Sequence, residues 1–441
     1  MNPWIPRLRV SWQRVMGDRH SLRGRIVTNS QILIMKSAVV GGLDMARTMV
    51  FARLLGAADY GLMALALMGI SLLESLTTTG MDLVIIGDDR YREHLPAYWA
   101  IKVFRGVGLF VLSWGLASPL AAYYHHPELV WMIRVLALGF LIKGLAGFGN
   151  EICQRELLFG RLAKLEVMAS AAVFLLGMAM VYVWRDVRVL VFNQLAAALG
   201  LCVVSHVLFP WKPTFRFDPA ILCAVLTFGG SIVVINALNY YFTNWDVGVV
   251  GKLCGVDDLG YYVRAYFVAT LPVMYIANVM APIFMPTFRQ LLHEPQRLRR
   301  AFVKMALAYA VGFGLLGLVL FAGAKLIILL VYGERWLPVV PVFRVLIFYG
   351  VLKGVSTVCP SILFLRNRPW RVSISAGAMA LSLALLCIPM TRQWGLVGTA
   401  WAVVFSAGIS SALSMVMAFR LTGQDAGSEP GISVPKTGAP V

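Results

Sequence analysis

Long apolar stretches, separated by short polar or Pro/Gly breaks, recur along almost the whole chain. Many of them have about the 20 residues that a helix needs to cross a bilayer. The pattern predicts an all-α, polytopic membrane protein with about twelve transmembrane helices. The predicted spans are about 31–52, 60–86, 96–124, 127–148, 165–184, 188–209, 221–245, 259–285, 303–331, 338–364, 372–390 and 395–419.

The same pattern divides the chain into five segments. Residues 1–30 are basic and contain no apolar core of a cleavable signal, so the first span is expected to direct the chain to the membrane. Residues 31–209 and 221–420 are each expected to form a six-helix bundle, joined by a Pro-punctuated cytoplasmic linker at 210–220. Residues 421–441 are rich in Gly, Pro and Ser and are predicted to be disordered.

Two pairs of similar segments indicate that the bundles are repeats of each other. Residues 52–61 (ARLLGAADYG) align with residues 251–260 (GKLCGVDDLG), which lie 199 positions later. Residues 133–136 (IRVL) align in the same way with 343–346 (FRVL). Because each half has six helices, both copies keep one orientation in the membrane. This predicts a parallel repeat, which in transporters forms two bundles that rock about a central site.

Composition supports a membrane location and argues against both a disulfide framework and a zinc site. Of the 441 residues, 59% are hydrophobic and only 14% are charged, and the mean hydropathy is +0.76. A soluble domain carries roughly 25% charged residues. The six cysteines are scattered without a CxxC pair, which favours neither a disulfide framework nor a zinc site.

The distribution of Lys and Arg outside the spans predicts the orientation. If the N-terminus is cytoplasmic, these cations concentrate in the cytoplasmic segments and are sparse in the loops on the other side. Both termini are therefore expected to be cytoplasmic, although loop 88–94 is slightly acidic for this assignment. The net charge of +18 is attributed to these loops rather than to nucleic-acid binding.

Charged residues inside the predicted spans are the main functional signal. A charge at bilayer depth costs at least ~2.5–3.5 kcal/mol, so each must face protein, water or an anion. Cations exceed acids there, which indicates a bound anion such as a pyrophosphate. The acids are Asp44, Glu74, Asp82 and Glu166. The cations are Lys36, Arg47, Lys102, Arg105, Arg134, Lys143, Arg264, Lys325, Arg344 and Lys353.

Helical spacing gathers some of these residues on one face. Lys36 and Arg47 are about three turns apart, and Asp44 lies one turn from Arg47, either as part of the site or as a simple salt bridge. In the second half, a polar stripe that includes Asn236 and Asn239 occupies the matching helix. The first helices of both halves are therefore predicted to line a central path.

The remaining candidates extend this site. Lys102 and Arg105 are assigned to it as further substrate-binding cations. Asp44, Glu74 and Asp82 are candidates for coupling transport to H+ or Na+, with a structural role as the open alternative. The membrane potential is a further possible driving force. No catalytic residue, metal site or cofactor is predicted.

Three segments resemble a known family. Residues 52–61, followed by an apolar helix, resemble the signature of polysaccharide flippases in the multidrug/oligosaccharidyl-lipid/polysaccharide (MOP) superfamily. Residues 260–272 (GYYVRAYFVATLP), which contain Arg264, look like that family's eighth-helix motif. Residues 155–163 (RELLFGRLA) are similar to its loop between helices four and five. The resemblance extends over roughly residues 30–420.

The resemblance implies a V-shaped pair of six-helix bundles around a cationic cavity in a bacterial inner membrane. It implies that a polyprenyl-pyrophosphate-linked oligosaccharide, for O-antigen or exopolysaccharide, moves to the periplasmic leaflet by alternating access. Arg264 would then join Lys36 and Arg47 in contacting the pyrophosphate. Implied partners are this cargo, membrane lipids, and the polysaccharide polymerase with its chain-length machinery.

Three other functions remain as alternatives. A peptidoglycan-precursor flippase usually has fourteen helices and a cation in helix two, where this chain has Glu74 and Asp82. A drug/cation antiporter of the same superfamily would suit an acidic cavity. A membrane glycosyltransferase or ligase would need a large outer loop with a catalytic group, and the longest predicted outer loop is short. We therefore do not expect an enzyme.

Overall fold

The computed structural model describes residues 22–423, except 82–83, 86–89, 157, 211–213, 217, 293, 367 and 369. Most of the predicted basic N-terminal segment and of the predicted C-terminal tail lies outside the described residues, and so does Asp82. The described part of the chain is almost entirely helical and contains no β-strand.

Among its described residues the first half contains seven helices, and each predicted span there overlaps at least one of them. They are α1 (Leu22–Leu54), α2 (Ala57–Ser75), α3 (Tyr91–Tyr124), α4 (Glu128–Leu145), α5 (Gly149–Arg155), α6 (Phe159–Trp184) and α7 (Arg188–Leu208).

The second half contains seven α-helices and one 3-10 segment among the described residues. They are α8 (Pro219–Leu253), α9 (Val256–Gln290), α10 (Pro295–Ala322), α11 (Ala324–Val331), the 3-10 segment Glu334–Val339, α12 (Val340–Ser356), α13 (Cys359–Leu365) and α14 (Trp370–Thr422).

Helix lengths and hydropathy suit a bilayer. Seven helical stretches of the described chain are long and apolar enough to cross a membrane, and the bent pair α4–α5 makes eight. Helices α1, α8 and α9 are not among them, but at 33, 35 and 35 residues they are long enough to cross. Helices can cross the hydrocarbon core because each one satisfies its own backbone hydrogen bonds there.

Helix α14 accounts for two of the predicted spans. Its 53 residues would extend about 80 Å at 1.5 Å per residue, more than twice the roughly 30 Å hydrocarbon core. Gly395 breaks it with a φ of 58° and a ψ of −137°. The positive φ is one that glycine adopts readily, so the break matches the predicted boundary between 372–390 and 395–419.

Helix α2 ends earlier than predicted. The predicted second span continues to residue 86, but the helix ends at Ser75 and residues 76–80 are not helical. The hydroxyl of Thr77 donates to the carbonyl of Leu73 at 3.0 Å, and that of Thr78 donates to the carbonyl of Glu74 at 2.7 Å. Such side-chain bonds compete with continued helix formation. The predicted span 60–86 is therefore interrupted at 76–80, and its predicted end at residue 86 lies outside the described residues.

Helix packing divides the chain into two compact units. The first unit extends to Val263 and includes Leu329–Trp336, whereas the second comprises Arg264–Ile328 and continues from Leu337. In the first unit α3 packs along α4, α1 along α6, and α7 along both α4 and α6. In the second unit α12 packs on α10 and α14. The predicted division at 31–209 and 221–420 remains a prediction.

Close helix packing in the first unit depends on small residues. At the crossing of α3 and α4, a Cβ on Gly106 would lie 2.7 Å from the carbonyl oxygen of Phe140 and 3.2 Å from the Cα of Gly144. Small residues let helix backbones approach in this way in membranes, where water does not drive helices together. Buried Leu109 and Ala137 pack beside this contact.

Candidate functional site

A cavity of about 500 Å3 lies in the first unit among α1, α6 and α7, and we call it the α1 cavity. Lys36, Asp44 and Arg47 line it from α1, and Glu166 lines it from α6. Its other walls are mainly small or aliphatic side chains. The helical spacing of Lys36 and Arg47 thus places both cations in one cavity.

Both cations of the α1 cavity are paired with carboxylates. Lys36 Nζ lies 2.7 Å from Glu166 Oε2, and Arg47 Nη2 lies 2.8 Å from Asp44 Oδ1. The Lys36 and Glu166 side chains are 22% and 19% exposed, so this pair is largely enclosed. The four charges balance, which differs from the cationic excess expected from the sequence. The reason is tertiary, because Glu166 reaches Lys36 from 130 residues away.

A second cavity of about 420 Å3, here the Glu74 cavity, is lined by residues of α2, α4, α7 and α8 and by Val263. Glu74 Oε1 lies 2.8 Å from Lys143 Nζ on its wall, and both side chains are more than one third exposed. Gln194 and Asn244 add neutral hydrogen-bonding groups to the same lining. Glu74 therefore faces an open space beside a counter-cation.

Arg105 and Asn236 meet at the end of α2, although they come from α3 and α8. Arg105 donates from Nε to Thr77 Oγ1 at 3.1 Å and from Nη2 to Thr78 Oγ1 at 3.0 Å. Asn236 donates from Nδ2 to the carbonyl of Thr78 at 3.4 Å. Two of the predicted binding residues are thus brought together by a threonine that the sequence analysis did not select.

The other predicted binding residues lie elsewhere. Lys102 Nζ sits 5.0 Å from the centre of the Phe148 ring. Asn239 is exposed on α8. Arg264 belongs to the second unit, where its guanidinium lies 5.7 Å from the centre of the Phe267 ring. Within the described residues, no group of three or more His, Cys, Asp or Glu side chains could hold a metal ion.

Sequence reasoning missed three residues of these clusters. Glu166 was counted only as an opposing charge, although it is the one charged residue in the apolar stretch 165–184. Thr77 and Thr78 belong to the polar run at 77–80, which interrupts an otherwise apolar predicted span. Both signals are local, but neither shows which cation the residue contacts.

Comparison with known proteins adds a family and a fold. The model of a family described as "Polysaccharide biosynthesis protein" matches residues 50–341. Teichuronic acid biosynthesis protein TuaB of Bacillus subtilis is 29% identical over 291 residues, which are 64% of this chain and 59% of TuaB. Lipopolysaccharide biosynthesis protein WzxC of Escherichia coli is 26% identical over 361 residues, which are 79% of this chain and 71% of WzxC.

Among solved structures, the lipid II flippase MurJ in an inward closed conformation has a TM-score of 0.67 to this chain. The match covers 90% of both chains at 11% sequence identity. At such low identity the likeness concerns the fold alone. Together with the described helices, it confirms the predicted class of an all-α, polytopic membrane protein.

Proposed function

Because the chain belongs to the polysaccharide biosynthesis protein family, as its resemblance to MOP-superfamily flippases predicted, we propose that it flips a polyprenyl-pyrophosphate-linked oligosaccharide across a bacterial inner membrane. The glycan would serve O-antigen or exopolysaccharide synthesis. The observation that carries the proposal is the α1 cavity, where Lys36 and Arg47 line the same space inside a polytopic membrane protein.

The cargo pyrophosphate binds by exchanging with the carboxylates of the cavity. Without cargo, Glu166 and Asp44 neutralise Lys36 and Arg47, so both cations of the α1 cavity are compensated. With cargo, the planar fork of Arg47 donates two parallel hydrogen bonds to phosphate oxygens, and Lys36 supplies a compact second charge. The α1 cavity therefore accepts an anion without holding a permanently unpaired cation.

Further residues complete the proposed binding set. Arg264 is included because it lies in the segment that resembles the family's eighth-helix motif. Arg105 and Asn236 share Thr78 as a hydrogen-bonding partner, so a group bound there contacts both. The remaining members of the set are Lys102 and Asn239.

Ion coupling is assigned to carboxylates that face these cavities. Protonation of Glu74 would remove its attraction for Lys143 and free that cation in the Glu74 cavity. Asp44 would act in the same way on Arg47. Asp82, which lies outside the described residues, remains a coupling candidate from its position in the sequence alone. H+, Na+ and the membrane potential are the driving forces to compare.

The proposed orientation places both termini in the cytoplasm, as the distribution of Lys and Arg predicts. Cargo is then loaded from the cytoplasmic leaflet and released to the periplasmic leaflet, where a polymerase and chain-length machinery use it. The movement changes the position of the lipid and breaks no covalent bond, so the protein acts as a transporter and not as an enzyme.

The test uses the purified full-length chain in vesicles that contain a polyprenyl-pyrophosphate-linked oligosaccharide in both leaflets. A glycosidase added outside removes the terminal sugar from the outer leaflet only. We expect the protein to make the inner-leaflet share accessible, while that share stays protected in protein-free vesicles. A parallel set carries polyprenyl-pyrophosphate-disaccharide-pentapeptide. Movement of the peptidoglycan precursor alone, or of neither lipid, would refute the proposal.

A further inference from the structure

The two copies of the repeated motif contact each other reciprocally in the first unit. A Cβ on Gly61 would lie 1.8 Å from the carbonyl oxygen of Val256, and a Cβ on Gly260 would lie 1.9 Å from the carbonyl oxygen of Ala57. Ala57 and Val256 are the first residues of α2 and α9 and hold equivalent positions in the two copies. Each glycine therefore rests on the first turn of the other copy's helix, as in a two-fold interface.

The second residue of each copy is a cation, and the two cations make equivalent bonds. Arg53 Nη2 donates to the carbonyl of Leu330 at 2.6 Å. Lys252 Nζ donates to the carbonyl of Tyr123 and lies 4.5 Å from the centre of its ring. Both acceptors belong to the last turn of a helix, α11 and α3 respectively. Carbonyls in that turn lack helical partners and form the negative end of the helix dipole, so each cation occupies a favourable position.

Both accepting helices are followed by a residue with left-handed backbone, although not at the same position. His125 follows α3 with a φ of 61°, and Gly333 lies two residues beyond α11 with a φ of 96°. A left-handed residue at this point turns the chain away and leaves the last carbonyls open to an external donor. A left-handed residue after the accepting helix is thus a further feature that the Arg53 and Lys252 contacts have in common.

A buried tryptophan joins the motif copies to the segment Leu329–Trp336. Trp336 is 1% exposed, and its Nε1 donates to the carbonyl of Ala52 at 2.7 Å. Its ring packs edge-on against Tyr60 and Tyr261, at centroid distances of 5.5 and 5.7 Å. These contacts explain why a segment so distant in sequence belongs to the first unit.

We propose that Arg53 and Lys252 are positioning residues of a clamp that shuts the periplasmic end of the transport path. The clamp consists of Arg53, Gly61, Lys252 and Gly260 with their acceptors. This inference rests on the proposed function and on the predicted topology, which puts the loops after α1 and α8 in the periplasm. In the closed state the two glycines leave no room for side chains between the helix starts, so the backbones meet and close the path. The cation–carbonyl bonds hold this state but can be broken for opening, because neither is a buried ion pair. Cargo release then requires the two motif copies to separate.

The test uses native Cys254, which lies in the second motif copy and is partly exposed. In full-length protein whose other five cysteines are replaced by Ala, a membrane-impermeant maleimide is added outside intact cells without cargo. We expect slow labelling in the parent. Replacing both cations (Arg53→Gln, Lys252→Gln) should raise the rate roughly 3- to 30-fold, the range for losing two cations at helix ends. The exchange R53K/K252R should restore the parent rate, because it keeps both charges.

A second pair of variants tests the glycine contact. Gly61→Ala adds a Cβ that the Val256 carbonyl excludes, so labelling should rise, whereas matched control Gly115→Ala adds one where nothing lies within 4 Å. Unchanged labelling in the inserted R53Q/K252Q protein would overturn the inference. Labelling only in inside-out vesicles would also overturn it, because the clamp would then face the cytoplasm. The labelling experiment contains no cargo, so it tests the clamp independently of transport. If labelling changes as expected but the protein does not move the oligosaccharide in vesicles, the proposed function is rejected and the closing contact still stands.

Discussion

Substituting Lys36 and Glu166 one at a time distinguishes a cargo-binding role of Lys36 from a structural role of the ion pair. If Lys36 binds cargo, Lys36→Ala removes a hydrogen bond to a charged phosphate, which contributes about 1.5–3 kcal/mol. At 1.36 kcal/mol per tenfold change, this predicts a roughly 10- to 150-fold loss of transport at subsaturating cargo. Glu166→Gln removes only the competing carboxylate and leaves the cation in place. Its transport should therefore be maintained or increased.

A structural role predicts a different pattern. The two side chains are about one fifth exposed, so breaking the pair should cost between the ~1 kcal/mol of a surface pair and the ~3–5 kcal/mol of a buried one. Either substitution then leaves one charge without its partner. Lys36→Ala and Glu166→Gln would lower stability and transport together.

The assay measures the initial rate of oligosaccharide movement in vesicles and the Tm of the same preparations in detergent. Lys325→Ala is the matched control, because Lys325 is exposed on α11 in the second unit, and it should transport like the parent. Equal losses of rate and Tm in the two pair variants would refute the binding role of Lys36. A rate loss confined to Lys36→Ala, with unchanged Tm, would support it.

Two further predictions follow from packing and topology. Gly106→Ala should lower the free energy of unfolding by about 1–3 kcal/mol, the usual cost of overpacking, because its Cβ would lie 2.7 Å from the carbonyl oxygen of Phe140. Thermal unfolding measures this loss against the control Gly108→Ala, whose Cβ has nothing within 4 Å. Equal Tm values for the two variants would contradict the prediction. A reporter active only in the periplasm should be silent when fused after Arg420, because the C-terminus is predicted to be cytoplasmic, and an active fusion would reverse the topology.

Much of the candidate site could be anticipated because its signals are local. The spacing of Lys36 and Arg47 placed both side chains on one face of α1, and the structure puts both in the α1 cavity. The pair Asp44–Arg47 was visible as one helical turn. Partners from other helices were not visible, because hydropathy and periodicity do not say which helices touch. Glu166 and Thr78 were missed for this reason.

The sequence by itself determined the helical passes and the repeat. A chain in lipid must satisfy its backbone hydrogen bonds within each segment, so apolar length alone predicts helices, and residues 52–61 and 251–260 are recognisable as copies from their letters. Only the tertiary structure decided which charges neutralise each other and that the two motif copies rest on one another through Gly61 and Gly260. These contacts join residues more than one hundred positions apart, and they depend on how whole helices pack, which no local pattern encodes.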